Sequence, residues 1–204
     1  MQISVAGNIG SGKTTLTSLL AKHYDWEAHY EDTEDNPYLN DFYEDMQRWS
    51  FNLQIYFLQN RFNKIMHFRE NGKDVIMDRT IYEDAYIFAP NLHSMNLMSK
   101  RDFDNYIELF NLTNRLVKAP DLLIYLRSSV PNLVNNIQKR GREYETSIRL
   151  DYLNRLNERY EAWVSHYSEG KLLTVDVDSN HFNDNSEHFN DVIKKIDKEI
   201  TTLS

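Results

Sequence analysis

The sequence contains no cysteine, which removes disulfide frameworks and thiolate chemistry from consideration. Only 4 prolines and 6 glycines occur in 204 residues. That leaves little material for disordered linkers and predicts a single folded domain over 1–204. No apolar run approaches the length of a membrane span, and the N-terminus lacks a basic, then apolar, then small-residue export signal. The cytoplasm is the expected location, with no membrane partner. Positive charge is also scarce, since 23 Lys and Arg face 31 Asp and Glu for a net charge of −8. A broad nucleic-acid surface is therefore not expected, and an anionic ligand must be held by a local device. The 7 histidines show no metal-ligand spacing.

The few glycines are concentrated where such a device can be built. Gly7, Gly10 and Gly12 fall in Gly7-Asn8-Ile9-Gly10-Ser11-Gly12-Lys13-Thr14, which fits the pattern Gly, four residues, Gly-Lys-Ser/Thr. By chance this pattern arises on the order of once per hundred chains of this length. Its context lowers that figure further, because Gln2 to Ala6 reads as a buried strand and Leu16, Leu19 and Leu20 give helical spacing just after it. A polyphosphate must be met by several backbone N–H groups at once, and glycines let the backbone approach. The helix opening near Lys13 and followed by Thr15 adds its positive dipole end. Lys13 supplies an ammonium for the outer phosphates, and the Thr14 hydroxyl can ligate Mg²⁺. The segment is a nucleoside triphosphate site.

Beyond it, the chain alternates short apolar strands with helical patterns. Trp26 to Glu31 reads as a second strand, ending in an acidic run that Asn36-Pro37 breaks. Phe51 to Phe68 has strong helical periodicity and Gly72 follows as its stop. Asp74 to Asp78 reads as a third strand, followed by a helical segment through Tyr82, Tyr86 and Phe88 that Pro90 is expected to end. Ser99 caps the next predicted helix, Asp121 to Leu126 is a fourth strand, and Leu172 to Val177 a fifth. Pro131 suits the first turn of a helix reaching Arg140, and Asp178 to Asn185 reads as a solvated loop. The fold class is α/β, with a five-stranded, mainly parallel sheet flanked by helices. Ligands of such sheets sit beyond the carboxyl ends of the strands, so Glu31, Asp78 and Arg79 are expected at the rim that carries the phosphate loop. Phosphoryl transfer also needs a group to orient or deprotonate the acceptor hydroxyl, and Glu31 is the candidate.

Taken in order, the phosphate loop, Glu31 before Asn36-Pro37-Tyr38-Leu39, Tyr43, Arg48-Trp49-Ser50-Phe51, Gln54, Arg61, Asp78-Arg79-Thr80, Asp84 and the segment Arg140-Gly141-Arg142 resemble the deoxyribonucleoside kinases. The likeness runs to about Trp163, and the members most similar are bacterial deoxyadenosine and deoxyguanosine kinases and deoxycytidine kinase. It implies a P-loop kinase three-layer fold with an arginine lid at about 140–146, and ATP-dependent 5′-phosphorylation of a deoxynucleoside with Mg²⁺. Deoxyadenosine is favoured, with deoxycytidine next. The resemblance further implies that Glu31 is the base for the 5′-hydroxyl, that Arg79 contacts that hydroxyl and the transferred group, and that Asp78 organises the metal shell. Tyr43 and Asp151 would hold the 3′-hydroxyl. Gln54, Arg61 and Asp84 would address the base edge with Phe88 on its face, and Arg140 and Arg142 would close over the triphosphate. A homodimer is implied as well. Two positions depart from the family pattern: Asp32 where proline is usual, and Phe57 one turn from Gln54, where a smaller residue is common. Two other functions compete. A nucleoside monophosphate kinase would need extra arginines for the acceptor phosphate, for which Arg61 and Arg48 are candidates. A GTP-dependent switch would need an Asn-Lys-x-Asp segment, which is absent from the sequence.

Overall fold

The computed structural model describes residues 1–31, 33 and 35–202, with the backbone alone at Thr146. Its centre is a five-stranded sheet of β1 (Gln2–Gly7), β2 (Glu27–His29), β3 (Val75–Asp78), β4 (Leu122–Arg127) and β5 (Lys171–Asp176). The order across the sheet is β2-β3-β1-β4-β5, and every pairing is parallel. Parallel neighbours need crossover connections, which here are helical. Helix α1 (Lys13–Tyr24) follows β1, α2 (Leu39–Glu44) and α3 (Met46–Asn71) lie between β2 and β3, and α4 (Ile81–Glu83), α5 (Ala89–Ser94) and α6 (Lys100–Asn114) lie between β3 and β4. Helices α7 (Val130–Arg140) and α8 (Leu150–Ser165) precede β5, and α9 (Ser186–Thr201) closes the chain.

Alternation along the strands feeds two cores. Ile3, Val5, Ile76, Leu122 and Ile124 pack with Leu16 and Leu20 of α1 and with Val192 and Ile196 of α9. Val75, Met77 and Tyr125 point to the other face, against Leu53 and Leu58 of α3, Phe110 of α6 and Leu156 and Tyr160 of α8. Burying each such leucine stabilises the fold by about 1.5–3 kcal/mol. Both faces are covered, which explains why β4 is a nearly unbroken apolar run. Among the described residues no helix is long and apolar enough to cross a membrane.

Local signals act where sequence chemistry places them. Gly72 ends α3 at φ 62°, its N–H donating to the Phe68 carbonyl. The Ser99 hydroxyl accepts from the Asp102 N–H at 3.1 Å to start α6, and Pro131 lies in the first turn of α7. Pro90 does not end its helix, contrary to expectation. The chain widens into a π-helical turn over Asp84–Phe88, closed by the Ala89 N–H donating to the Asp84 carbonyl, and Pro90 then falls in the opening turn of α5. There its missing N–H leaves no helical bond unmade.

Candidate functional site

The carboxyl ends of β1 and β3 meet in register, Val5 beside Asp78, so the phosphate loop and Asp78-Arg79-Thr80 emerge at one rim. The loop needs its glycines. A Cβ on Gly10 (φ 84°) would come within 2.7 Å of the Leu133 carbonyl oxygen, and one on Gly7 within 2.6 Å of Ser11 Oγ. Side chains of α7 and α8 brace the loop: Asn136 donates to the Gly10 carbonyl at 2.9 Å, while Asn8 donates to the Leu153 carbonyl and to Asn157 Oδ1, each at 3.2 Å. Asn8 Oδ1 accepts from the Ile9 N–H at 2.8 Å. Gly12 caps α1 with no side-chain hydrogen bond, so the leading N–H groups of that helix, around Lys13, Thr14 and Thr15, are available to an anion.

Lys13 is buried, and its Nζ donates to the Asn8 carbonyl at 2.8 Å. Burial, reinforced by the neighbouring Arg79, pushes its ammonium down to about 7 against the opposing pull of Asp78, Glu83 and Glu31. An anionic ligand would restore the charge. Thr14 Oγ1 donates to Asp78 Oδ2 at 2.6 Å, while the buried Asp78 Oδ1 has no hydrogen-bond partner among the described residues. Burial raises the Asp78 pKa, with Lys13 opposing. A carboxylate with one orphaned oxygen beside a threonine hydroxyl is a donor set that suits a hard divalent cation.

Glu31 lies two residues beyond the end of β2. Its Oε1 accepts from Arg61 Nη2 and its Oε2 from Arg79 Nε at 3.1 Å. Burial raises its pKa, but Arg79, Arg61 and Lys13 outweigh that and hold it near 2. Arg61 spans two acids, because its Nη1 pairs with Asp84 Oδ2 on the π-helical turn. Burial lifts Asp84 to about 7 with Arg61 opposing. Asp32, which follows Glu31, lies outside the described residues.

Glu31 and Asp84 line one cavity together with the phosphate-loop groups, while Arg61, which pairs with both acids, is not in its lining. Lys13, Thr14, Glu31, Tyr43, Gln54, Asp78, Arg79, Asp84, Phe88, Arg140 and Arg142 all reach it, so residues spread over 130 positions of sequence converge. Gln54 is buried, and its Oε1 has no hydrogen-bond partner among the described residues. The Phe88 ring lies 4.8 Å from the Arg79 guanidinium, and Phe57, also in the lining, lies 4.9 Å from that of Arg61. Tyr43 stacks on Tyr144 at 5.5 Å.

Asp151 is not brought to the cavity. It sits in the first turn of α8 with its side chain 46% exposed, and its carboxylate accepts from Arg149 at 2.8 and 2.9 Å. The acid that lines the cavity on this side is Glu145, buried and paired with Arg140. It lies on a 3₁₀ turn (Glu143–Ser147) that continues the arginine segment, and its position three residues after Arg142 was the available signal. Sequence reasoning also missed Glu83, which is buried among Gly7, Arg79, Thr80 and Tyr160.

A deoxynucleoside kinase family model matches residues 3–201. The chain belongs to the deoxynucleoside kinase family. It is 40% identical over 178 residues to the deoxyadenosine/deoxycytidine kinase of Bacillus subtilis, covering 86% of this chain and 82% of that one. Identity to the Bacillus subtilis deoxyguanosine kinase is 35%, over 92% and 91% of the two chains. Among solved structures, the M. mycoides deoxyadenosine kinase with the products dCMP and a flexible dCDP bound superposes with a TM-score of 0.86 at 29% identity. That match covers 97% of this chain and 100% of the other. The protein is thus a nucleoside-phosphorylating enzyme.

Proposed function

We propose that this kinase transfers the γ-phosphoryl group of ATP to the 5′-hydroxyl of a deoxynucleoside, deoxyadenosine first and deoxycytidine second. The observation that carries the reading is the suspension of Glu31 between Arg61 and Arg79 in a cavity that opens onto the phosphate loop. Glu31 orients the 5′-hydroxyl and accepts its proton as the 5′-oxygen bonds to the γ-phosphorus and the bond to the bridging β-oxygen breaks, giving the monophosphate and ADP. Arg79 and Lys13 stabilise the charge on the transferring group. Gly7 to Thr15 hold the triphosphate, and Arg140 and Arg142 cover it. Thr14 and Asp78 would hold Mg²⁺, which when bound neutralises phosphate charge. At the nucleoside end, Gln54, Arg61 and Asp84 meet the base edge, Phe88 its face, and Tyr43 the 3′-hydroxyl. A homodimer is proposed too, supported by the exposed apolar side chains Leu109, Leu112 and Leu116 in and just after α6.

The test is a thermal-shift screen of the four deoxynucleosides with a non-hydrolysable ATP analogue, since a ligand of the native state stabilises by mass action. Deoxyadenosine should raise Tm most. A Tm that responds to nucleoside monophosphates and not to nucleosides would overturn the reading.

Lys13→Ala should lower kcat by about 10²–10³-fold while deoxynucleoside affinity, measured by calorimetry, stays within about threefold. Lost nucleoside affinity with intact turnover would displace Lys13 from the phosphate end.

Two acids compete for the sugar. With Tyr43 across the same cavity, Glu145 is the better placed acceptor for the 3′-hydroxyl. Glu145→Ala should raise KM for deoxyadenosine at least about tenfold relative to its 3′-deoxy analogue, the scale of a lost charged hydrogen bond. Asp151→Ala should leave that ratio unchanged. The opposite result would return the role to Asp151.

A further inference from the structure

We infer that Glu83 is a positioning residue for phosphoryl transfer, fixing the Arg79 guanidinium and the Gly7 peptide of the phosphate loop against each other; this rests on the reading of Arg79 as a cation of the transfer site. Glu83 is 0% exposed, and a fully buried carboxylate has to be matched by donors. Oε2 serves the start of α4, accepting from the Thr80 N–H at 2.8 Å and from Thr80 Oγ1 at 3.4 Å. That is one half of a capping box, a device that needs only one oxygen and no burial.

The other oxygen has no part in the cap. Oε1 accepts from Arg79 Nη1 at 3.1 Å, from Tyr160 Oη at 2.8 Å and from the Gly7 N–H at 3.3 Å. The circuit closes because Arg79 Nη1 also donates to Tyr160 Oη at 2.8 Å and to the Gly7 carbonyl at 3.2 Å. Strand β1, the end of β3 and helix α8 are joined through a single carboxylate oxygen. On its other edge, the same guanidinium donates through Nε to Glu31 Oε2 at 3.1 Å. Any turn of Arg79 about its held edge therefore moves the group that faces the catalytic carboxylate.

The backbone supplies an independent reason for a brace. Arg79 has φ 75°, a left-handed conformation that is uncommon for a side chain of this size and persists where surroundings over-determine it. The Arg79 N–H donates to the Val5 carbonyl at 2.9 Å, and the Glu83 circuit holds the side chain that this backbone projects. Glu83 touches none of the reacting atoms in this arrangement. It acts through Arg79 and Gly7.

Glu83→Gln and Tyr160→Phe test this, with kcat and the deoxynucleoside KM measured per folded enzyme and each change repeated in an Arg79→Lys background. Misplacing a catalytic group by about 1 Å costs on the order of a hundredfold, so Glu83→Gln should lower kcat roughly ten- to a hundredfold with KM within about threefold. Tyr160→Phe should act in the same sense and less. In the Arg79→Lys background both losses should shrink, because residues that act as a unit are not additive. A folded Glu83→Gln enzyme with wild-type kcat, whatever its Tm, would reduce Glu83 to a helix cap. Should Glu83→Gln fail to fold, Tyr160→Phe decides, and an unchanged kcat there overturns the inference. If Arg79→Lys is itself without effect on kcat, the transfer-site reading falls and this inference with it; a damaging Arg79→Lys beside a silent Glu83→Gln overturns this inference alone.

Discussion

Glu31→Gln is expected to keep deoxynucleoside affinity and to lower kcat by roughly a hundredfold or more, the scale of a positioned general base. The change is isosteric, so the cavity keeps its shape. What is lost is the charge that draws two arginines together: Oε1 takes a hydrogen bond from Arg61 and Oε2 one from Arg79. A neutral amide presents one acceptor and one donor, and the donor would face a guanidinium. Arg61 retains Asp84 and Arg79 retains Glu83, so the variant should fold, with its stability reduced by about 1–3 kcal/mol. The pH profile adds a second readout. With the Glu31 pKa near 2, the carboxylate is ionised above about pH 4. It should contribute no acid limb to kcat/KM above pH 4. A base of this strength takes the proton late, after most of the bond to the leaving group is gone, which suits a loose transition state. Near wild-type turnover in Glu31→Gln would remove the residue from this role, and the same substitution at Asp32 would then identify its neighbour.

The phosphate end of the site is legible in the sequence because its chemistry is local. Eight consecutive residues carry the proposed anion cradle, and a strand before them and a helix after them complete it. The parallel sheet is legible for a related reason: strands buried on both faces must be apolar runs, and Leu122 to Leu126 of β4 is one. The proposed nucleoside end can be read only through the ordered likeness to a family, since Gln54 and Arg61 are polar positions that an exposed helix edge would also carry. Glu83 stayed hidden because its partners come from β1, the end of β3 and α8, and nothing in Tyr82-Glu83-Asp84 distinguishes a buried carboxylate from a surface one. The capping pattern Thr80-x-x-Glu83 was the only trace. Pro90 misled because a proline is a reliable helix breaker only when its N–H would be needed, and the wide turn ahead of it removes that need. Asp151 lies away from the cavity because position in sequence does not fix position in space. The 3₁₀ turn carries Glu145 inward, while the first turn of α8 carries Asp151 out to Arg149.

Base choice should follow from the pair Arg61 and Asp84. An ionised carboxylate only accepts hydrogen bonds and a guanidinium only donates them, so the favoured base pairs an exocyclic amino group with a neighbouring ring acceptor. Adenine and cytosine meet that requirement. Thymine places a carbonyl oxygen where the amino group would be, facing Asp84, and a site built for an amino donor rejects such an analogue by on the order of 10⁴. Guanine brings a carbonyl that suits Arg61 and not Asp84, which ranks deoxyguanosine third. The charge of Asp84 is conditional, however, because burial lifts its pKa to about 7. Above that pH it is ionised and accepts; below it the protonated carboxyl can donate. The kcat/KM for deoxyadenosine relative to thymidine should therefore fall as pH drops through about 7, and an Asp84→Ala enzyme should lose that dependence. Single substitutions at the pair differ in their consequences. Asp84→Ala leaves Arg61 anchored on Glu31, whereas Arg61→Met leaves Asp84 buried without a cation, a costly state that it escapes by protonation. Asp84→Ala with Arg61→Met removes both the repulsion and the orphan. The double variant should lower deoxyadenosine turnover and raise the ratio of thymidine to deoxyadenosine in kcat/KM by at least about a hundredfold, half of the discrimination on a logarithmic scale. Measuring all four deoxynucleosides on wild type and double variant checks this: a wild type that prefers thymidine, or a ratio that the double variant leaves unmoved, would show that Asp84 and Arg61 do not read the base.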